Sequence, residues 1–378
     1  MVSNVFLQFG HSFLGKQKGT RSNNFRFSSR KKWAEPISQK MSINMNANFL
    51  KLLTHFRRHD LTNFKTEHDV LYKKALETGD HLEVTTHYYS VMSKVIDDYF
   101  GGNFHFVPPK FDGQPLEEAL KSLHQHIAAK LELNENVHCL DIGCGIGGVM
   151  LDIADFGAKL TGVTIAPNEA EIGNEKFAAL GLSNKCKIVA ADCHKMPFED
   201  SVFDVAYAIY SLKYIPNLEK VMEEIQRVLK PGGKFIVYDL IKTNDYDKDN
   251  QLHFETLHHL EYACGMPSLH TQSEIEKSAS SSGMALIEQE NLEETFGNRA
   301  FHYCFSASPF FMWLVTSPVI DHTIRLAEIM RILPAGFKQF NRTFLCGTVN
   351  SIVEGGRMGI LSGADILVFE KTGKNNNF

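Results

Sequence analysis

The chain has 378 residues, of which 43% are hydrophobic, and its formal net charge is −5. This length and composition are typical of a globular protein that holds a full α/β domain and a substantial addition. Residues 1–40 contain eight Lys or Arg and a single acid, so the remainder has a net charge near −12, which argues against a nucleic-acid-binding surface. No apolar run reaches the roughly 20 residues that a membrane-spanning helix needs.

The first segment, residues 1–45, is basic and rich in Ser and Asn, and it has no sustained hydrophobic period, so we expect it to be disordered. Its Arg and Ser with few acids also fit a mitochondrial transit peptide, although the basic residues begin only at Lys16. Met41 is an alternative start. The chain has seven cysteines and no C-x-x-C pair, which favours a reducing compartment over a disulfide framework or a zinc site.

Residues 46–130 have a mainly helical pattern. The clearest amphipathic face has apolar residues at steps of three or four, namely Leu116, Leu120, Leu123, Ile127 and Leu131. We expect this helical region to cover one side of the site that the next segment forms.

An apolar strand and a glycine-rich turn dominate the start of the core, residues 131–241. Val137–Ile142 has strand character and contains Asp141, and Gly143, Gly145 and Gly148 then fit the spacing G-x-G-x-x-G. Glycines there let a ligand approach the backbone N–H groups at the start of a helix. Dinucleotide-binding proteins share this spacing, but Asp141 would repel a pyrophosphate and attract an ammonium or a sulfonium. The pattern therefore favours S-adenosylmethionine, which has both cationic groups and no phosphate.

Further strands alternate with helices, which predicts a mostly parallel sheet. They are Lys159–Ile165, Lys187–Asp192, Phe203–Ala208 and Leu229–Tyr238. With the glycine turn, this pattern resembles the class I S-adenosylmethionine-dependent methyltransferases. The resemblance implies a Rossmann-like, doubly wound α/β sheet whose antiparallel edge is formed by two late strands, Met284–Glu288 and Ile366–Phe369.

The resemblance also implies which residues hold the cofactor. Asp141 would anchor the turn and the amino-acid end of the cofactor. The second strand ends at Thr164 without the usual acid, so Glu169 is the expected ribose ligand, the alternative being a solvated helix residue. Asp192 would accept a hydrogen bond from the adenine amine. The full predicted set is Asp141, Gly143, Cys144, Gly145, Thr164, Glu169, Asp192, Cys193 and Ile209, and we expect no metal site.

Blocks outside the core resemble the sterol methyltransferases. The resemblance extends from about Tyr88 to Lys371 and rests on an aromatic segment, an N-x-x-H…I-E…G-x-P spacing and a closing segment. These blocks contain Tyr88, Tyr89, Gly101 and Phe104–Phe106, then Asn250, His253, Glu261, Gly265 and Pro267, and finally Ile352–Arg357. The implied substrate is a sterol.

The C-terminal region, residues 242–371, contains an aromatic-rich insertion that suits a pocket for rigid apolar rings. Its aromatic residues are Phe296, Phe301, Tyr303, Phe305, Phe310, Phe311, Trp313, Phe337, Phe340 and Phe344. Because a sterol is nearly insoluble, we expect Pro309–Ile320, with Trp313, to rest at a membrane interface. The expected location is the cytoplasm or the surface of the endoplasmic reticulum, with mitochondrial import as the alternative. Residues 372–378 are expected to be a disordered tail.

The chain departs from the sterol 24-methyltransferases after the fourth strand. That branch has a run of the form A-I-E-A-T-C-H, and this chain has Tyr210 and Tyr214 in place of the acid and the histidine. Methylation of a side-chain alkene creates a carbocation, whereas methylation of a ring carbon beside a ketone needs an enol or enolate. Tyrosine hydroxyls suit the second reaction better. The chain therefore resembles most closely the nematode-type sterol 4α-methyltransferases, which act on ring carbon 4.

The candidate catalytic residues follow from this reaction, which needs a base and a group that stabilises oxygen charge. The candidates are Asp97, His105, Tyr210, Tyr214, His253 and Glu261. The alternatives are a side-chain sterol methyltransferase, a phospholipid head-group N-methyltransferase, and a non-catalytic protein that binds the same ligands. The N-methyltransferase would need a phosphate-binding cluster, which Arg299, Arg325, Arg331 and Arg342 do not form in the sequence. The oligomeric state is not evident.

Overall fold

The computed structural model describes residues 54–100 and 105–372, and the side chains of residues 97–100 fall outside that description. The chain divides into two compact units, residues 1–59 and 60–378. In the first unit, residues 54–56 are helical and a turn follows. The predictions of disorder for residues 1–45 and 372–378 concern positions outside the described residues, apart from Thr372.

Three helices form the N-terminal part of the second unit: α1 (Leu61–Thr78), α2 (Leu82–Phe100) and α3 (Leu116–Lys130). Asp60 caps α1, because its side chain accepts the N–H groups of Thr62 and Asn63, which the first turn of the helix leaves unpaired. The apolar face predicted for α3 is confirmed, since Leu120, Leu123 and Ile127 are all buried.

Seven strands form one sheet. In chain order they are β1 (His138–Ile142), β2 (Lys159–Thr164), β3 (Cys186–Ala190), β4 (Phe203–Ile209), β5 (Leu229–Tyr238), β7 (Met284–Asn291) and β9 (Asp365–Lys371), while β6 (Ile241–Lys242) and β8 (Leu361–Ser362) form a separate short pair. The spatial order is β3-β2-β1-β4-β5-β9-β7. Strands β1 to β5 are parallel, and β9 runs antiparallel to both neighbours. The predicted class of sheet, with its antiparallel edge, is confirmed.

Helices cover the sheet. Those between the strands are α4 (Gly148–Ile153), α5 (Pro167–Ala179), α6 (Leu218–Val228), α7 (Gln251–Ala263) and α8 (Gln272–Ser281). Met222 and Ile225 of α6 and Ile275 of α8 belong to one buried cluster with Leu140 and Phe235 of the sheet. Each such side chain contributes about 1.5–3 kcal/mol by leaving water, so this face fixes the core on which the site is built.

A helical insertion lies between β7 and β8. It comprises α9 (Leu292–Thr295), α10 (Tyr303–Ser306), α11 (Pro309–Thr316), α12 (Pro318–Ile329), α13 (Phe337–Phe340), a π-helical turn (Asn341–Leu345) and α14 (Cys346–Arg357). Among the described residues, no helix combines the length and the apolar character that crossing a membrane requires.

The sheet topology fixes where a ligand can bind. Because β1 to β5 are parallel, the loops after them all leave from the same edge of the sheet. The strand order reverses direction between β1 and β4, and a crevice at such a point is where open α/β sheets bind ligands. The ends of strands β1 to β5 and the loops after them carry most of the residues that the sequence predicts for the site.

Candidate active site at the carboxyl edge of the sheet

In the glycine turn after β1, Gly143 packs closely against a neighbouring residue, whereas Gly145 has open space beside it. Gly143 has φ +77°, and a Cβ there would lie 2.4 Å from Cβ of Ser211, which follows β4. The N–H groups of Gly143 and Cys144 both donate to the carbonyl of Val163, at 2.9 and 3.0 Å. At Gly145, with φ +52°, an added Cβ would meet nothing within 4 Å. Glycine at position 143 therefore allows close packing against Ser211, whereas Gly145 leaves space where a ligand can approach.

Three predicted cofactor residues have side chains that are buried or partly buried in the protein. The sulfur of Cys144 faces β2, because a Cβ added to Gly162 would lie 2.5 Å from it. Burial raises the pKa of the Cys193 thiol to about 12. Ile209 is the last residue of β4 and is buried. Their contact with a ligand remains a prediction.

Asp141 is a buried carboxyl group whose described side-chain partner is a tyrosine. Its side chain is 3% exposed, and Tyr207 on the neighbouring strand donates to Oδ2 at 2.9 Å. Burial raises the pKa of Asp141 to about 7, although the hydrogen bond from Tyr207 lowers it in part. No Lys, Arg or His within the described ranges forms an ion pair with it. A positively charged ligand would supply the missing charge, so this carboxyl group fits the ammonium or sulfonium of S-adenosylmethionine.

Glu169 lies beside the end of β2, where the usual acid is missing. The hydroxyl of Thr164 donates to Oε2 of Glu169 at 2.6 Å, which joins the strand end to the first turn of α5. The charge of Glu169 contributes to the raised pKa values of Tyr89, on α2, and of Cys144, after burial as the main cause. Glu169 therefore lies close to both the glycine turn and α2, as a ribose ligand would have to.

Asp192 lies two residues beyond β3 in an exposed turn. Its Oδ1 accepts hydrogen bonds from the backbone N–H and from Nδ1 of His194, at 2.9 and 2.7 Å. Burial raises the pKa of Asp192, but these bonds outweigh that effect and lower it overall. Asp192, Cys193 and His194 also bring three potential metal ligands within 4.8 Å of one another. Their adjacency in one turn accounts for that proximity.

The loop after β4 contains a buried lysine that the sequence did not single out. Lys213 is 2% exposed, and its Nζ donates to the carbonyl of Tyr210 and lies 3.5 Å from Oδ1 of Asp239, which follows β5. The same Nζ lies 4.4 Å from the ring centre of Tyr210 and 4.9 Å from that of Tyr214. Burial lowers the pKa of Lys213, and Asp239 opposes this effect. The amino group of Lys213 is thus held between the two tyrosines that replace the acid and the histidine of the sterol 24-methyltransferase branch.

The two tyrosine hydroxyl groups have different partners. Tyr210, with φ +53°, donates to the carbonyl of Gly363 at 3.0 Å. The hydroxyl of Tyr214 lies 2.8 Å from that of Tyr89. Burial raises the pKa of both Tyr210 and Tyr214 well above the ordinary value, so both are neutral phenols that can donate hydrogen bonds.

His105 lies beside this cluster. Its ring centre is 5.8 Å from that of Tyr210, and its Nε2 is 2.6 Å from Nε2 of His124 on α3. Burial lowers the pKa of His105 well below the ordinary value, with smaller contributions from His124 and Lys213. Asp97, another candidate, belongs to α2, but its side chain lies outside the described part.

The remaining two candidate bases lie elsewhere. His253, in the first turn of α7, accepts the N–H of Asp247 at 3.2 Å. Glu261, two turns later, forms a buried ion pair with Lys242 at 2.9 Å and accepts the N–H of Leu269 at 2.8 Å. These contacts give Glu261 a structural role at the end of α7, and the structure does not join either residue to Tyr210 or Lys213 by a described contact.

Two groups of packed rings include residues of the aromatic insertion. Near Tyr210, the ring of Phe106 lies 5.9 Å away and contacts Phe301 and Phe305, at 6.5 and 5.3 Å. Phe340 and Phe344, by contrast, pack against Phe64 of α1, at 5.2 and 5.1 Å. Only the first group borders the candidate site, and we refer to Phe106, Phe301 and Phe305 as the aromatic wall.

Sequence reasoning missed four residues that complete the site. They are Tyr207, Lys213, Asp239 and His124. A lysine between apolar residues, as in Leu212-Lys213-Tyr214, and an acid directly after the apolar strand Phe235–Tyr238 are signals that point to a buried pair. The partnership of Tyr207 with Asp141 needs the strand register, in which these residues are paired.

Known proteins match the chain over the sheet and well beyond it. A family model described as a methyltransferase domain matches residues 140–237. The sterol 4-C-methyltransferase strm-1 of Caenorhabditis elegans is 87% identical over 331 residues, which are 88% of this chain and 99% of that protein. The chain belongs to the sterol methyltransferase family. A sterol 24-C-methyltransferase of Debaryomyces hansenii is more distant, at 30% identity over 306 residues, or 78% of this chain and 81% of that protein.

Solved structures share the fold of this sterol methyltransferase family member. The [4+2]-cyclase SpnF matches with a TM-score of 0.54 and 22% identity, covering 75% of this chain and 93% of its own. A geranyl diphosphate C-methyltransferase from Streptomyces coelicolor, in complex with Mg²⁺, geranyl diphosphate and S-adenosyl-L-homocysteine, matches with a TM-score of 0.54 and 14% identity over 71% of this chain and 92% of its own. The predicted methyltransferase fold is confirmed. The protein is an S-adenosylmethionine-dependent methyltransferase, as the sequence indicated.

Proposed function

We propose that this protein methylates carbon 4 of a 3-oxo sterol through an enol or enolate. The observation that carries the proposal is the buried cation Lys213, held between Tyr210 and Tyr214 and beside Asp239 at the carboxyl ends of β4 and β5. The name of the 87% identical relative, a sterol 4-C-methyltransferase, supports the same position. The aromatic wall beside Tyr210 supports a flat apolar substrate.

The charge of Lys213 separates the two branches of sterol methylation. Methylating a side-chain alkene leaves a carbocation on the substrate, which an ammonium nearby would repel. Forming an enolate leaves negative charge on the 3-oxygen, which the ammonium would attract. The carboxylate of Asp239, 3.5 Å from Nζ, offsets part of either interaction, so the preference rests on the sign of the effect and not on the Coulomb energy of an isolated charge. A cation at this position therefore favours the ring-carbon reaction.

The chain's own residues divide the work of this reaction. S-Adenosylmethionine supplies the methyl group when bound, and Asp141 and Glu169 are the residues that would hold it. Lys213 has three N–H donors, and contacts with described residues account for two of them, to the Tyr210 carbonyl and to Asp239. We assign the third to the 3-oxygen of the ketone. A base, for which we propose His105, removes the proton from carbon 4. The aromatic wall excludes water, so the enolate is not reprotonated before methyl transfer.

The decisive experiment compares two substrates and two variants. Purified protein, labelled cofactor and either a 3-oxo sterol or a sterol with a side-chain alkene are incubated, and mass spectrometry locates the added methyl group. We expect label at carbon 4 of the ketone only. Replacing Lys213 by Met should lower kcat about 10²- to 10³-fold, the usual effect of removing an oxyanion-stabilising donor.

Loss of Lys213 also leaves Asp239 buried without its partner, which can unfold the protein. The double variant Lys213→Met/Asp239→Asn removes both charges and should bind S-adenosylhomocysteine normally while remaining inactive. Lys130→Met serves as the control, because it breaks an ion pair with Glu290 away from the site. Methyl transfer to the side chain, or full activity in the double variant, would contradict the proposal.

The same proposal includes peripheral contact with a membrane that contains the sterol. Exposed apolar side chains are concentrated on α11, α12 and the turn that follows, namely Phe310, Trp313, Val319, Leu326, Ile329, Met330 and Ile332. Val319, Leu326 and Met330 recur at helical spacing, and the rings of Phe310 and Trp313 stack at 5.8 Å. An apolar helix face with Trp at its edge is typical of segments that rest in the interface of a bilayer.

A further inference from the structure

Three side chains form a hydrogen-bonded row that starts at His105. Nε2 of His105 lies 2.6 Å from Nε2 of His124, and Nδ1 of His124 lies 2.7 Å from Oδ2 of Asp152 on α4. The side chain of His124 is fully buried, whereas that of Asp152 is 28% exposed. The row therefore leads from the cluster around Tyr210 to the surface of the protein.

The hydrogen-bond network assigns the protons in this row. An ionised carboxylate only accepts hydrogen bonds, so Nδ1 of His124 carries the proton that Asp152 receives. A neutral His124 then has a bare Nε2, and His105 must donate to it from its own Nε2. This arrangement leaves Nδ1 of His105 without a proton. The row thus presents a basic nitrogen at its buried end.

We propose that His105, His124 and Asp152 form a proton relay that takes the proton from carbon 4 of the sterol and delivers it to the solvent. This inference rests on the proposed function, since replacing a C–H bond at carbon 4 by a C–CH₃ bond releases one proton. Nδ1 of His105 accepts that proton, and the electron pair of the C–H bond passes to the enolate. The proton on Nε2 of His105 moves to Nε2 of His124, which becomes an imidazolium beside Asp152. His124 then gives its Nδ1 proton to the carboxylate of Asp152, which releases the proton to the solvent.

The surroundings of His105 explain why it needs the other two residues. His105 is hydrogen-bonded to His124, its ring centre lies 5.8 Å from that of Tyr210, and the charge of Lys213 acts on it. Burial, followed by His124 and Lys213, lowers the pKa of His105, so His105 alone would hold a proton weakly. Transfer to His124 moves the positive charge away from Lys213 and next to a carboxylate. His105 is the proposed catalytic base, and His124 and Asp152 are positioning residues that act through it.

Hydrogen–deuterium exchange separates proton removal from methyl transfer. The full-length protein is incubated in D₂O with S-adenosylhomocysteine and cholestanone as the 3-oxo sterol, and deuterium at carbon 4 is followed by mass spectrometry. We expect Asp152→Asn and His124→Gln to slow this exchange and kcat together by about 10²-fold or more, the usual contribution of general base catalysis. Asp152→Asn should also move the acid limb of the pH–rate profile to lower pH, because the imidazolium loses its carboxylate. A merely structural role would not move that limb.

A neighbouring pair supplies the control. His126 lies on the same helix as His124 and also pairs with a carboxylate, Glu290, at 2.8 Å. His126→Gln should leave exchange, kcat and the pH profile unchanged. Wild-type exchange rates in Asp152→Asn, with S-adenosylhomocysteine still bound, would overturn the relay. Absence of carbon 4 methylation and exchange in the wild-type protein would instead refute the proposed function itself.

Discussion

Replacing Asp141 by Asn should stabilise the cofactor-free protein while weakening cofactor binding. Burial raises the pKa of Asp141 from 3.8 to about 7. At about 1.4 kcal/mol for each pKa unit, an ionised Asp141 costs the folded protein about 4 kcal/mol. Because the folded-state pKa is the higher one, this cost is absent below pH 4, grows as the pH rises towards 7 and is complete above that. A cationic ligand offsets it.

The Asn variant carries no charge and so avoids this cost. Its amide leaves a buried N–H group with a poor partner, which costs about 1–3 kcal/mol, so the net gain at pH 8 should be about 1–3 kcal/mol. Loss of the buried charge pair should cost about 2–4 kcal/mol in binding, which raises the Kd for S-adenosylmethionine roughly 30- to 1,000-fold. For the wild-type protein, affinity should also fall as the pH drops below about 7, since a proton competes with the ligand; the variant should lose this dependence.

Thermal unfolding at pH 5 and pH 8, with and without cofactor, tests both the gain in stability and the loss of cofactor binding. Calorimetry gives the Kd. The variant should unfold at a higher temperature than the wild-type protein at pH 8 and should gain little from cofactor. Tyr207→Phe is the matched control, because it removes the hydrogen bond to Asp141 and keeps the charge. Its affinity above pH 8 should stay near that of the wild-type protein. A wild-type Kd in Asp141→Asn, or a lower melting temperature at pH 8, would refute the reasoning.

Three further substitutions test the site and its surroundings. Glu169→Gln should raise the Kd for S-adenosylhomocysteine about tenfold, because a charge-assisted hydrogen bond to the ribose is lost. An unchanged Kd in calorimetry would rule out ribose binding by Glu169. Gly143→Ala should unfold at a lower temperature, since its Cβ would lie 2.4 Å from Cβ of Ser211. Adding Ser211→Gly should restore part of the lost melting temperature. An unchanged melting temperature in the double variant would argue against the clash. Trp313→Ser should reduce sedimentation with sterol-containing vesicles, whereas Ser at the exposed Leu180 should not; equal sedimentation would contradict membrane contact by α11.

The sheet could be predicted because its signals are local. Each core strand is an apolar run that ends at a turn, and the alternation with helices permits little besides a parallel sheet. The position of Asp141 follows for the same reason, since the end of the first strand determines where its side chain lies. The glycine spacing predicted the turn after β1, and this prediction needed no information about contacts distant in sequence.

The chemistry around Lys213 could not be predicted in the same way. A lysine in a sequence indicates a solvated surface, and its burial depends on Asp239, which approaches only when β4 pairs with β5. The row His105–His124–Asp152 likewise joins a loop, α3 and α4, which have no common sequence pattern. Aromatic content indicated a ring-binding region, but only tertiary packing separates Phe301 from Phe344. Sequence spacing alone could thus not predict which side chains of different helices, strands and loops contact each other.

The reversed strand β9 governs when the protein can fold. It is inserted between β5 and β7, and residue 234 pairs with residue 370, so the sheet is incomplete until β9 itself has been synthesised. Contacts so distant in sequence slow folding and keep the edge of β5 exposed during synthesis. Removing β9 would therefore leave β5 unpaired along one edge, although no residue of β9 is among those predicted to hold the cofactor.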